Sequence, residues 1–287
     1  MLKNRLIACL LIRDGLIVQS VNFNKYLPIG RPKFPIEFVT QWDVDEIILL
    51  DMSAGKENRG PSLEVLEMLS ITCTVPLTVG GGIQSVEMAR DVIRSGADKI
   101  SINLAALENK TLITDLARQF GSQCVVVSMD CRKQKDGKYY VFSSSGQKNC
   151  ALEASDWAAE VEKLGAGEIF LNSIDRDGSR LGYDLDLISS VTSVVNIPVI
   201  ACGGAGSYKD FSPGILKAGA DAVAAANIFH HVEHSTILAK ACLLDDGVNV
   251  RLDSQARYDN RRFDKFGRLL MLDSGRLDIE SKEYSDQ

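Results

Sequence analysis

Two glycine clusters, Gly80-Gly81-Gly82 and Gly203-Gly204-Ala205-Gly206, each close a short apolar run and open the next segment. At the end of a strand, glycines let backbone amides come close to an anion, and a helix starting there adds a favourable dipole. Each cluster is followed, one apolar run later, by a related triplet: Asn103-Leu104-Ala105 and Ala226-Asn227-Ile228. Turn chemistry would explain one such loop. Two related ones point to a ligand with two phosphates, or to two anion sites, at Gly81, Gly82 and Asn103 and at Gly203, Gly204, Ala226 and Asn227.

Carboxylates on the same side of the elements are Asp51, Asp130, Asp175 and Asp177. Asp130 ends the run Val125-Val126-Val127-Ser128-Met129, whose apolar flanks would raise its pKa toward the range useful for proton transfer. A helix cap or a loop salt bridge is the competing role for any one of these aspartates. His230, His231 and His234 are the chain's three histidines. The first and last have metal-compatible helical spacing, but no third ligand is implied, so a loop or cap role is expected and no metal or cofactor. A second set of charges, Arg5, Glu46, Lys99 and Glu168, stands at the starts of four apolar runs. Their alternating signs would allow a salt-bridged ring.

The elements that must position these residues come in two copies. Pro76-Leu77-Thr78-Val79-Gly80 recurs loosely as Pro198-Val199-Ile200-Ala201-Cys202, an offset of 198 − 76 = 122. Glu46-Ile47-Ile48-Leu49-Leu50 recurs as Glu168-Ile169-Phe170-Leu171-Asn172 at the same offset, 168 − 46 = 122. A period this long is no solenoid repeat and reads as two fused halves of one domain. The halves pair Asp130 with Leu11, so an acid in one half answers a leucine in the other. Strands are expected over Leu6–Leu11, Glu46–Asp51, Pro76–Gly80, Lys99–Asn103, Cys124–Asp130, Glu168–Asn172, Pro198–Cys202 and Ala222–Ala226. Helical patterns alternate with them: Ile36–Trp42, Ser62–Ile71, Ser85–Ser95, Asn109–Phe120, Ala154–Leu164, Asp184–Val194, Tyr208–Ala218 and Thr236–Leu243. Eight strands alternating with eight helices specify an α/β fold, a single (β/α)8 barrel with a half-barrel repeat, whose site lies at the C-terminal strand ends. The barrel is expected over residues 1–252, and a charged tail, partly ordered at most, over 253–287.

Composition narrows the function. A net charge of −6 argues against a nucleic-acid binder, and no apolar run approaches a membrane span. The apolar N-terminal stretch breaks at Arg13-Asp14-Gly15 and reads as a first strand rather than a signal peptide, which makes the expected location cytoplasmic. Seven scattered cysteines without a CxxC pair read as free thiols.

Taken together, these residues resemble the cyclase subunit of imidazole glycerol phosphate synthase from about Met1 to Leu252. The likeness is carried by Asp14-Gly15, Val21-Asn22-Phe23, Leu77-Thr78-Val79-Gly80-Gly81-Gly82-Ile83, Gly96-Ala97-Asp98-Lys99, Ser101-Ile102-Asn103, Phe120-Gly121-Ser122-Gln123, Asp175-Arg176-Asp177-Gly178 and Gly203-Gly204-Ala205-Gly206. In that family a glutaminase docks on the N-terminal face, and its ammonia crosses the barrel to a bisphosphate at the other end. The resemblance implies a gate of Arg5, Glu46, Lys99 and Glu168, docking or passage supported by Asp98 and Gln123, and a channel lined by Thr78 and Ser101. It also implies that Asp51, Asn172, Asp177 and Gly178 complete the ligand-binding set, with Asp130 catalytic.

The departures fall on the chemistry. The family's two catalytic aspartates correspond here to Leu11 and Asp130, a loop lysine corresponds to Gln19, and phosphate-side hydroxyls correspond to Leu104, Asn172 and Asn227. Cys9-Leu10-Leu11-Ile12-Arg13-Asp14 and Ile200-Ala201-Cys202-Gly203 are similar to the glycosyl-amidation-associated branch found with surface-polysaccharide genes. That branch implies ammonia supply to a sugar amidotransferase, which forms an acetamidino group. The expected function is therefore an ammonia-conducting barrel paired with a glutaminase and serving sugar amidation. The alternatives are the histidine-pathway cyclase itself and a non-catalytic phosphate-binding regulator of the glutaminase.

Overall fold

A computed structural model describes residues 3–230, 235–251, 262–263 and 269–270. Eight parallel strands form its centre: β1 (Arg5–Arg13), β2 (Glu46–Asp51), β3 (Leu77–Gly80), β4 (Lys99–Ile102), β5 (Val125–Lys133), β6 (Glu168–Ser173), β7 (Val199–Cys202) and β8 (Ala222–Ala225). Each pairs with the next in sequence, and β8 pairs with β1 through Arg5↔Ala222, which closes the ring. Helices α1 (Lys33–Gln41), α2 (Leu63–Ser70), α3 (Val86–Arg94), α4 (Thr111–Phe120), α5 (Ala154–Lys163), α6 (Leu185–Thr192), α7 (Phe211–Leu216) and α8 (Ser235–Asp245) alternate with the strands. The expected (β/α)8 barrel is the observed fold.

Alternation along each strand sorts side chains into two cores. On β1, Leu6, Ala8 and Leu10 face outward and pack in the large cluster under the helices. Ile7 and Cys9 face inward, where they meet Ile48, Val126, Phe170, Ile200, Ala222 and Ala224. The half-barrel repeat survives in the details of both layers. Ser62 and Asp184, which are 184 − 62 = 122 residues apart, cap α2 and α6 by accepting from the amides of Val65 and Leu187.

A further recurring device sits at the foot of the barrel. Asp45, Asp98 and Asp221 each stand immediately before a strand, and each carboxylate accepts the first or second amide of the preceding barrel strand. The acceptances are Leu6 N at 2.8 Å, Leu77 N at 2.8 Å and Val199 N at 2.9 Å. Asp45 also anchors the last helix. Lys240 on α8 is fully buried and reaches Asp45 at 2.8 Å and Asp43 at 3.4 Å. Thr236 of α8 donates to the carbonyl of Trp42. The final helix is thereby tied to the first repeat unit at the closing seam.

Two hairpins and a short helix were not expected. Leu16–Val21 pairs antiparallel with both β1 and Lys25–Gly30, and Tyr139–Ser143 pairs with both β5 and Lys148–Glu153. These runs lie in the loops after β1 and β5, outside the alternation of eight strands and eight helices, and extend those two strands beyond the barrel rim, so they escape a search for barrel strands. Leu104–Glu108 forms a five-residue helix directly after Asn103. Of the charged tail, only the pairing of residues 262–263 with 269–270 falls within the described residues. His231 and His234 also lie outside them.

Candidate functional site

The two ends of the barrel carry different chemistry. At the foot, the inward-facing side chains at the starts of β1, β2, β4 and β6 converge into one network. Arg5 Nη1 donates to Glu46 at 2.8 Å and to Glu168 at 3.1 Å. Lys99 Nζ donates to Glu46 at 2.9 Å and to Glu168 at 3.0 Å. Both cations bridge both acids, so the ring carries no net charge and each charge has two partners. Glu46 is 2% exposed and also accepts from Thr78 Oγ1 at 2.8 Å. Burial alone would lower the Arg5 pKa, but the two facing glutamates outweigh it and hold the guanidinium above its usual value.

Asp98 and Gln123 lie outside this ring, on the exposed rim. Asp98 is not a free docking group, because one carboxylate oxygen clamps Leu77 N. Removing it is expected to cost about 1 kcal/mol through the lost cap-like bond. Asp98→Ala should therefore lower a urea midpoint modestly before any partner is present, and an unchanged midpoint would show that the clamp contributes nothing. Gln123 folds back over Gly121, its amide nitrogen 3.5 Å from the carbonyl of Phe120.

At the opposite mouth, Asp130 is the inward-facing carboxylate of β5. Asn103 Nδ2 donates to one of its oxygens at 2.9 Å and Asn172 Nδ2 to the other at 3.3 Å. Burial raises its pKa to about 6, against the pull of the two amide donors and with help from the nearby Asp177 charge. Near neutral pH such a group exists in both protonation states, which is the property a general acid or base needs. Leu11 sits on β1, four strands from β5 around an eight-strand ring, so it faces Asp130 across the mouth. The sequence pairing of acid with leucine is thus a spatial pairing.

Asp177 and Gly178 hold the first hairpin. Asp177 Oδ2 accepts from Ser20 Oγ at 2.7 Å and from Phe23 N at 2.9 Å, while Asn227 Nδ2 donates to the carbonyl of Ser20 at 2.7 Å. Burial raises the Asp177 pKa above the ordinary carboxylate value, opposed by those two donors. Gly178 has φ +67°, and a Cβ there would lie 2.9 Å from Val21 Cα. Gly178→Ala should detach the hairpin tip, since strain in this backbone region adds to a clash with main chain. Faster proteolysis within residues 16–30 would report it, and an unchanged cleavage rate would count against the fit.

Asp51 departs further from expectation. By strand alternation it points outward, away from the mouth, and its oxygens are taken by Ser53 N, Ala54 N and Arg59 Nη1 at 3.0, 3.1 and 2.7 Å. It organises the loop after β2. A cavity of about 520 Å³ lies beside it, between the outer faces of β1 to β3 and α2, and does not open on Asp130. The strand-top glycines serve loop packing as well. A Cβ on Gly81 would lie 2.2 Å from the carbonyl oxygen of Asp51, and one on Gly204 2.2 Å from that of Gly182. At Gly82 the obstacle is Arg59 O at 2.0 Å, and at Gly203 it is Ser173 O at 2.8 Å. Close approach of neighbouring loops therefore already requires glycine at these positions.

Cys9 and Cys202 are neighbours inside the barrel, and all seven cysteines are free. Among the described residues no cluster of three or more metal-ligating side chains occurs, and no helix is long and apolar enough to cross a membrane. Sequence reasoning missed Ser20, Arg59 and Ser128. The inward parity of Ser128, two residues before Asp130, was available as a signal; the other two become visible only through loop contacts.

Comparison with known proteins adds a family. Residues 5–235 match the model of the histidine biosynthesis protein family. A Vibrio vulnificus protein provisionally named imidazole glycerol phosphate synthase subunit hisF2 is 46% identical over 268 residues, covering 93% of this chain and 98% of that protein. The imidazole glycerol phosphate synthase subunit HisF of Alkaliphilus metalliredigens is 45% identical over 251 residues, 88% of this chain and all of the relative. That of a Thermotoga species is 46% identical over 253 residues, 88% of this chain and 99% of the relative.

Proposed function

The chain belongs to the histidine biosynthesis protein family, and we propose that it is the barrel subunit of an imidazole glycerol phosphate synthase-type complex. In this reading a glutaminase docks at the foot, and its ammonia passes the Arg5–Glu46–Lys99–Glu168 ring and crosses the barrel to a phosphorylated acceptor beside Asp130. The observation that carries the reading is the pairing of a neutral, fully partnered charge ring at one end with Asp130, an inward carboxylate whose pKa burial raises, at the other. Such a ring closes the foot to ions, because a passing charge would break two ion pairs, while a small neutral molecule need displace only one hydrogen bond. At the mouth, Asp130 is fixed from both sides by amides and can exchange a proton with the nitrogen adduct or with the departing oxygen. The strand-top loops around Gly81, Gly82, Gly203 and Gly204 supply backbone amides for phosphate groups.

The names of the relatives favour the bisphosphate acceptor of imidazole glycerol phosphate synthase over a surface-polysaccharide sugar. One observation favours the sugar reading: Leu11 faces Asp130, so these two positions hold one carboxylate where the resemblance implies two. The two readings separate in a single pair of assays. Purified chain with ammonium salt and the bisphosphate should turn over, reduced by about 10² to 10⁴ if one positioned acid or base is missing. The gene should also rescue a histidine auxotroph lacking the cyclase. No turnover and no rescue, with ammonia-dependent amidation of an N-acetyl sugar in the presence of a sugar amidotransferase, would replace the first reading by the second. Failure of the chain to bind or stimulate any glutaminase would end both.

A further inference from the structure

The half-barrel repeat supplies an internal reference for the cavity of about 520 Å³ outside the barrel wall, whose apolar sides are Ile12, Leu49, Val65, Leu66 and Val79. In the second half of the chain, two tyrosine rings stand where the first half has none. Tyr183 lies 183 − 61 = 122 residues beyond Pro61, which is the repeat offset. Tyr139 is placed by register. Ile12 pairs with Asp51 and Cys131 with Ser173, again one repeat apart (173 − 51 = 122), so Ile12 answers Cys131 and Asp14 answers Lys133. The hairpin partner of Lys133 is Tyr139, whereas Asp14 goes straight into a turn with Gly15. Gly15 and Pro61 both line the cavity, and a Cβ on Gly15 would meet nothing within 4 Å.

Both tyrosines are buried, at 8% and 5% exposure, and both hydroxyls are used. Tyr139 Oη donates to Asp184 at 2.7 Å, and Tyr183 Oη donates to the carbonyl of Ala224 at 2.9 Å. Asp184 is the cap of α6, and its counterpart at the cavity is Ser62, the cap of α2. The Ser62 hydroxyl accepts from Val65 N at 3.4 Å, a long bond for a cap. The two charged side chains of the lining, Asp51 and Arg59, pair with each other at 2.7 Å. The cavity therefore offers apolar area and one side-chain hydroxyl, with its opposite charges already spent on one another.

We propose that this cavity is a ligand site for a neutral molecule carrying a hydroxylated aromatic ring. Such a molecule is the chemical equivalent of the tyrosine side chains that occupy the second half, with its hydroxyl on Ser62 and its ring against Val65 and Leu66. An apolar cavity takes up an aromatic guest because the guest restores contacts that the lining lacks. Its volume falls within the range of about 300–1,000 Å³ usual for small-molecule sites. A carboxylate or phosphate would meet Asp51 with Arg59 already engaged, so the site selects against anions. The inference is independent of the conducting function, since the cavity lies outside the barrel wall.

The test is a titration of the full chain with p-cresol, a free tyrosine side chain, and with toluene, followed by amide shifts in nitrogen-15 spectra. p-Cresol should shift the amides of Gly15, Gly60 and Ser62 saturably and bind about fivefold tighter than toluene, the worth of one hydrogen bond. Ser62→Asp gives α2 the cap that α6 carries. It should widen the preference for p-cresol, because a charged acceptor makes the stronger bond. Val65→Phe fills the cavity from α2 and should abolish binding of both molecules. Shifts that do not saturate, or that centre on residues away from the cavity, would overturn the site, as would unchanged binding in a folded Val65→Phe. A preference that stays the same in Ser62→Asp would overturn the placement of the hydroxyl and the ligand class with it. That comparison decides the matter even if Val65→Phe fails to fold.

Discussion

Asp130→Asn should give a protein that is more stable at neutral pH and far less active. The activity loss follows from role: replacing a mouth carboxylate whose pKa burial lifts to about 6 should lower acceptor turnover by about 10² to 10⁴. The stability gain follows from linkage. The carboxyl titrates at 3.8 when unperturbed and at about 6 in the fold, because burial disfavours its charged form more than Asn103 and Asn172 favour it. Below the unfolded value the group is protonated in both states, and the fold is not penalised. As pH rises from the unfolded value toward the folded one the penalty develops, and it is complete above the folded value, at about 3 kcal/mol at most by pH 7, less what mouth water screens. The asparagine variant avoids that penalty but loses one amide hydrogen bond, worth about 1 kcal/mol. A net gain of about 1 kcal/mol should raise the melting temperature by a few degrees at pH 7.5, whereas near pH 4, where little penalty is left to avoid, the lost hydrogen bond should lower it slightly. Activity within tenfold of the unsubstituted chain would deny Asp130 the proton-transfer role. A lower melting temperature at pH 7.5 would show that the two amides fully compensate its burial.

The same residue shows what a sequence can disclose and where it stops. Asp130 and its opposition to Leu11 were legible because a two-fold repeat in sequence becomes a two-fold relation in space once the sheet closes. Glu46 and Glu168 were legible for the same reason, being one repeat apart and both at strand starts. Asp51 was misplaced although the needed information was present: counting in twos from the inward Glu46 reaches Leu50, so Asp51 must point outward. The strand-foot clamps were also visible in retrospect, since Asp45, Asp98 and Asp221 all directly precede barrel strands. The latch on the first hairpin was of another kind. Asp177 meets Ser20 across 157 positions, through two loops whose mutual approach depends on the closed barrel rather than on either segment. No periodicity encodes such a contact. The same holds for Lys240, whose burial against Asp45 depends on the last helix returning to the first repeat unit.

The charge ring provides the largest expected effect on folding, and Glu46 is its most exacting member. Its carboxylate takes Arg5, Lys99 and Thr78 together, at distances between 2.8 and 3.0 Å, while only 2% exposed. Glu46→Ala leaves two cations sharing Glu168 and strands the fully buried Thr78 hydroxyl. Breaking a buried pair by removing one partner typically costs about 3–5 kcal/mol, since an uncompensated charge remains. Glu168 has more water, with a side chain 12% exposed, so Glu168→Ala should cost less. The order of the two urea midpoints is thus predicted, with Glu46→Ala the lower. Glu46→Gln separates stability from gating. It keeps the shape and an acceptor for Thr78 but leaves a net positive ring, so the foot should lose its closure to ions before the barrel loses its fold. In the assembled complex, Glu46→Gln should therefore let glutamine-derived ammonia escape to solvent, seen as hydrolysis outrunning product formation. Should Glu46→Ala unfold at the same urea concentration as the unsubstituted chain, the ring is a surface network of little energetic weight. Should Glu46→Gln keep hydrolysis and product formation in step, closure of the foot must come from elsewhere.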